Sequence, residues 1–138
     1  MSRTYISQIL RRQVSERARR CCEYCLLHED DATISHEVDH IVAEKHGGLT
    51  ILDNLAYACF LCNSNKGSDL ASLSLTGELA RFFNPRTDIW SQHFRIVGEL
   101  IVPTTAIGEA TERIFQFNTP ERCEERWGLQ VLNRFPTG

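Results

Sequence analysis

Two cysteine pairs, Cys22-Glu23-Tyr24-Cys25 and Cys59-Phe60-Leu61-Cys62, constrain this chain more than any other feature. A two-residue gap lets both sulfurs of a pair approach one ion at about 2.3 Å, and two such pairs complete a tetrahedral sulfur shell. Four protein ligands leave no open coordination position, so a zinc ion held there is structural and its binding free energy is part of the folding free energy. That matters in a chain of 138 residues, 42% of them hydrophobic, which can bury only one modest core. Cysteines buried as small hydrophobes, or one pair serving redox chemistry, would explain the pairs separately but not together. Cys21 is the alternative to Cys22, but the two-residue gap to Cys25 favours Cys22; Cys123, alone in a predicted helix, reads as a core residue.

No stretch approaches the roughly 20 apolar residues needed to cross a bilayer, and Met1 to Tyr5 lack the charged start and apolar run of a signal peptide. The expected location is the cytoplasm, with no membrane partner, and that reducing compartment favours metal binding over disulfides. A formal net charge of −3 argues mildly against nucleic acid. Its distribution argues the other way: the first twenty residues carry Arg3, Arg11, Arg12, Arg17, Arg19 and Arg20 against Glu16, and an acidic region follows. A basic arm beside an acidic region suits a protein that holds phosphates at one place and a cation at another. For any single arginine a solvated helix face explains its position equally well.

Ile6, Ile9, Leu10, Val14 and Ala18 recur at helical spacing, so an amphipathic helix is predicted from Ile6 to about Arg20. Thr33 to His40, with Ile34 and Val38, favours a strand. Gly47-Gly48 marks a loop, and a short helix is predicted from about Asp53 to Ala58. Cys59 to Cys62 reads as a tight turn, with another helix from Asn63 to about Leu70. Further on, Phe94 to Val97 and Leu100 to Val102 flank Gly98-Glu99 as a hairpin. Helices are expected from about Ala106 to Phe117 and, capped by Thr119 with Pro120 at its first position, to about Asn133.

Between and just beyond the cysteine pairs lie His36, Glu37, Asp39, His40, Asn54 and Asn63. Phosphodiester hydrolysis needs a deprotonated water and a cation to stabilise charge growing on the phosphate. An imidazole, with an ordinary pKa of about 6.5, suits the first task at neutral pH. A carboxylate and an amide oxygen are hard ligands that suit Mg²⁺. In isolation, Asp39 reads as a turn cap, His40 as a satisfied histidine, and Asn54 and Asn63 as helix-start residues. Their company changes that reading. Cys22-x-x-Cys25, Glu37-Val38-Asp39-His40-Ile41, Gly47-Gly48, Asp53-Asn54-Leu55 and Cys59-x-x-Cys62-Asn63-x-x-Lys66-Gly67 together resemble the HNH endonuclease family, over roughly residues 22 to 67.

The resemblance implies an α+β chain with a ββα-metal core stapled by the four-cysteine zinc site, followed by a small extension of hairpin and helices. Residues 1–75 would form the nuclease domain with its basic helix, and 76–138 an extension packed on the same unit. His40 would be the general base and Asn54 would fix the loop that orients it. Asp39 and Asn63 would hold one catalytic Mg²⁺ or Mn²⁺. Lys66 would contact phosphate, beside Arg11, Arg12, Arg19 and Arg20 as nucleic-acid contacts, and the products would carry 5′-phosphate and 3′-hydroxyl ends. Where some members place a histidine ligand four residues beyond the Asn63 position, this chain has Gly67. The expected partner is DNA, taken as double-stranded, with monomer and homodimer both open. Two other readings remain: a non-catalytic zinc module that binds nucleic acid, which has no need of a base beside two oxygen ligands, and a zinc-stapled protein-interaction module.

Overall fold

A computed structural model describes residues 4–138; Met1, Ser2 and Arg3, the last counted above among the basic residues, lie outside the described residues. The architecture is mixed α+β, built of short hairpins and helices as expected. The described residues group into two compact units. One runs to Leu70 and takes in Asn84–Thr87, and the other comprises Ala71–Phe83 and Asp88–Gly138.

In the first unit, α1 (Gln8–Arg17) starts where Ser7 Oγ accepts from the Leu10 amide at 3.2 Å and carries Arg17 in its last turn, where a cation meets the negative end of the helix. Its apolar stripe is Ile6, Leu10, Val14 and Ala18, and these pack with Val38, Leu52, Leu55 and Tyr57. Ile9, predicted to share that stripe, is 71% exposed. Each fully buried aliphatic side chain such as Val14 stabilises the fold by roughly 1.5–3 kcal/mol, enough to dock a ten-residue helix that propensity alone would leave marginal.

The helix packs against a two-stranded antiparallel hairpin, β1 (Glu37–His40) and β2 (Leu55–Ala58), in the register Glu37 to Ala58, Val38 to Tyr57, Asp39 to Ala56 and His40 to Leu55. Two expectations are corrected here. The strand predicted from Thr33 begins only at Glu37, because residues 33–35 are exposed and have no partner strand. The helix predicted over Asp53 to Ala58 is a single 3-10 turn, Leu52–Asn54, followed by β2, whose four residues are all buried. Opposite pairing partners share a face of the hairpin, so Leu55 and Tyr57 go with Val38 and His40 towards the α1 core, while Ala56 and Ala58 stand with Asp39 and Glu37. The helix expected from Asn63 is α2 (Phe60–Lys66), which starts earlier because Cys59 serves as its N-cap and ends at Lys66, one residue before Gly67 at φ +52°.

The second unit holds a hairpin that the sequence did not signal, β3 (Ala71–Leu73) with β4 (Leu79–Arg81), and the expected one, β5 (Phe94–Val97) with β6 (Leu100–Pro103). Helices α3 (Ala106–Phe115) and α4 (Pro120–Val131) follow. The first of these stops two residues short of the prediction, where Gln116 turns left-handed at φ +54°. Phe82, Phe83, Phe94, Phe115 and Phe117 form a buried aromatic core with ring centroids 5.3–5.8 Å apart, within the range where tilted and edge-on pairs attract. No described helix is long and apolar enough to cross a membrane.

Candidate active site

Cys22, Cys25, Cys59 and Cys62 meet in the first unit with all four sulfurs within 4.8 Å of one another, buried and free of disulfides. Cys25 Sγ and Cys59 Sγ are 3.6 Å apart. Sulfurs on a tetrahedron with arms of about 2.3 Å stand roughly 3.8 Å from each other, so the group fits zinc. The amides of Cys25 and Cys62 donate to the sulfurs of Cys22 and Cys59, each at 3.4 Å. Burial, together with the neighbouring thiols, pushes Cys22 and Cys62 well above the ordinary thiol range. Four thiolates cannot share this space without a cation, which is what a structural metal supplies. The cluster joins the turn after α1 to the junction of β2 with α2, and so fixes the strand and helix that carry the remaining residues.

Those residues line one cleft of about 510 Å³, whose wall includes His36, Glu37, Asp39, His40 and Asn63, with Arg11 from α1. His40 is 2% exposed. Its Nε2 lies 2.8 Å from Thr50 Oγ1, and its Nδ1 is buried with no hydrogen-bond partner among the described residues. Buried polar atoms are rarely left unpaired, and an exception marks a place for a water, an ion or a substrate. His36 has the same character, Nε2 at 2.7 Å from Leu27 O and Nδ1 unpartnered, and packs its ring on Tyr57. Asp39 is partly buried; burial pushes its carboxyl up, against the pull of the Lys66 ammonium and of the His40 backbone N–H.

Asn54 ties the intervening loop to β1. Its Oδ1 accepts from Val42 N at 2.9 Å, its Nδ2 donates to Val42 O at 2.9 Å and Leu49 O at 2.8 Å, and its own carbonyl accepts from Ile41 N. Gly48 is required beside it, since a Cβ there would sit 1.7 Å from Val42 O. Asn63, half-buried near the start of α2, donates through Nδ2 to Glu37 Oε2 at 3.1 Å.

Lys66 does not fit the phosphate contact expected of it. It is 3% exposed, with Nζ donating to His40 O at 3.1 Å and lying 3.8 Å from Asp39 Oδ2. Burial lowers its pKa, and Asp39 and Asp69 hold it up. On the inward side of α2 the ammonium meets these two partners among the described residues, and so props the strand end from behind. Arg11, Arg12, Arg19 and Arg20 are exposed. Arg20 is engaged with Glu29 at 3.1 Å, whereas Arg11 and Arg12 border a second, adjoining hollow of about 300 Å³ with Ser15 and His36. Thr50, which meets His40, was marked in the sequence only by its place beside the glycine loop, and Glu37, which meets Asn63, stood out only within the Glu37-Val38-Asp39-His40-Ile41 run without a role of its own.

A ββα element with an Asp-His step ending its first strand, an asparagine on its helix and a buried four-cysteine cluster defines the class of this unit. Residues 22–69 match the family model described as HNH endonuclease, and this segment is an HNH endonuclease domain. No curated protein and no solved structure gave a match to the chain.

Proposed function

We propose that this protein is a metal-dependent endonuclease that hydrolyses phosphodiester bonds of DNA in the cleft lined by β1, with Asn63 of α2 and Arg11 of α1. One observation carries the reading: His40, Asp39 and Asn63 line the same cleft, and with Thr50 beside Nε2 the His40 ring has Nδ1 buried and without a hydrogen-bond partner among the described residues. With Nε2–H donated to Thr50, the Nδ1 lone pair accepts a proton from water. Asp39 and Asn63 Oδ1 supply hard oxygen ligands, and their residue types fit Mg²⁺ or Mn²⁺. Such an ion, when bound, stabilises the charge that builds on phosphate and leaving oxygen. Asn54 acts on His40 indirectly, by holding the loop that ends at Thr50. Lys66 fixes the carbonyl of His40 and the side chain of Asp39. The zinc held by the four cysteines takes no part in the reaction. Arg11 and Arg12 hold backbone phosphates beside the cleft, and Arg19 and Arg20 extend the basic face.

Supercoiled plasmid incubated with zinc-loaded protein tests this. The expected result is nicking with Mg²⁺ or Mn²⁺ and none with EDTA, with 5′-phosphate and 3′-hydroxyl ends at the cut. No cleavage of plasmid, single-stranded or branched DNA with any divalent ion, together with retained DNA binding, would make the protein a non-catalytic binding module.

A further inference from the structure

The cleft holds a second carboxylate, Glu37, for which the chemistry above has no use. The strand register pairs Glu37 with Ala58 and Asp39 with Ala56, so the two carboxylates stand two residues apart on one face of β1. Asn63 reaches that face from α2 and donates its amide N–H to Glu37 Oε2 at 3.1 Å. This bond commits the nitrogen end of the amide to Glu37 and frees Asn63 Oδ1 for another partner. Glu37 Oε1 makes no hydrogen bond among the described residues. His40, which also lines this cleft, is 2% exposed, and its Nδ1 is buried without a hydrogen-bond partner among the described residues.

Asp39 has the Lys66 ammonium 3.8 Å away, and that ammonium is buried too deeply for water to screen it. The pair is close to neutral as a unit, and Asn63 is neutral, so Asp39 and Asn63 alone offer a dication almost no net negative charge. Position 67, four residues past Asn63, is glycine and contributes no side chain. A hard divalent cation entering a partly enclosed cleft needs anionic oxygen to offset its lost hydration.

We propose that Glu37 is a third oxygen ligand of the catalytic ion, completing a Glu37, Asp39 and Asn63 set; this rests on the nuclease reading. The alternative role, an anchor for the Asn63 amide and nothing more, makes a different prediction. Glutamine keeps an oxygen that can accept the Asn63 N–H but removes the charge and weakens the ligand.

Binding of Mn²⁺ to the zinc-loaded full chain, read from loss of the free-ion electron paramagnetic resonance signal, separates the possibilities without any turnover. Glu37→Gln is expected to weaken Mn²⁺ binding at least about tenfold, at both about 0.1 and about 0.5 M salt, and Asp39→Asn to do the same, with one zinc per chain in every variant. If Glu37→Gln binds Mn²⁺ like wild type while Asp39→Asn does not, Glu37 is only the amide anchor and the proposal falls while the nuclease reading stands. A Glu37→Gln defect that vanishes at high salt marks through-space charge, and overturns coordination in the same way. If wild type binds no Mn²⁺, or binds it independently of Asp39, the metal-dependent reading itself fails and the Glu37 assignment goes with it.

Discussion

At the residue scale, the cleft depends on side chains whose two ends do different things. His40 sets one ring nitrogen against Thr50 Oγ1 and leaves the other buried without a partner among the described residues. Removing the hydroxyl leaves the ring free to flip or change tautomer, so Thr50→Val is expected to slow DNA cleavage by roughly 10- to 100-fold through misorientation, and Thr50→Ser to restore most of the rate. Single-turnover rates at saturating DNA check this. Equal loss in Thr50→Val and Thr50→Ser would show that the hydroxyl is not what positions the ring. Sequence made His40, Asp39 and Asn63 conspicuous because their types and spacing coincide with the cysteine pairs. The direction of the Lys66 side chain was not legible, since nothing in Asn63-x-x-Lys66 tells whether a lysine three residues along a helix points to solvent or back at the strand.

At the element scale, the hairpin is where sequence and structure part. Leu55-Ala56-Tyr57-Ala58 has no polar residue to mark a period of two, because α1 packs on the Leu55 and Tyr57 face and the other two residues are buried as well. Asp53-Asn54 ahead of it resembles a helix cap, but the Asn54 side chain is spent on Val42 and Leu49. The β3–β4 hairpin escaped notice for a related reason: three-residue strands are too short to show alternation. The four-cysteine frame, α1, the β5–β6 hairpin and α4 were legible, since caps, spacing and turn residues agree there. The glycine loop yields a sharp expectation. Gly48→Ala puts a methyl into Val42 O and the Asn54 amide, and should destabilise the first unit by about 3 kcal/mol, the upper end of overpacking costs. Gly47→Ala meets no atom and suffers only its left-handed φ of +91°, at a cost of about 1 kcal/mol. Urea melts of zinc-loaded protein compare them, and equal midpoints would contradict the close approach at Gly48.

At the scale of the whole molecule, the two units depend on different forces. The aromatic core of the second unit contains none of the clustered cysteines, whereas the first is held by them. Structural zinc sites bind with about 10–16 kcal/mol, which matches or exceeds the roughly 5–15 kcal/mol that keeps a domain folded. Chelating the zinc is therefore expected to unfold the first unit. Both tryptophans, Trp90 and Trp127, belong to the second unit. Loss of far-ultraviolet ellipticity with little change in tryptophan emission is the expected signature. An apo protein that melts at the zinc-loaded temperature would deny the cluster its structural role.

The central claim is that a protein staple presents His40 as a base to a phosphodiester. Its most direct measurement is the single-turnover nicking rate of zinc-replete wild type and His40→Ala on supercoiled plasmid with Mg²⁺ or Mn²⁺. The account predicts a fall of roughly 10²- to 10⁴-fold at unchanged zinc content and DNA affinity. A His40→Ala protein that nicks at the wild-type rate, or a wild type that does not nick at all, would contradict it.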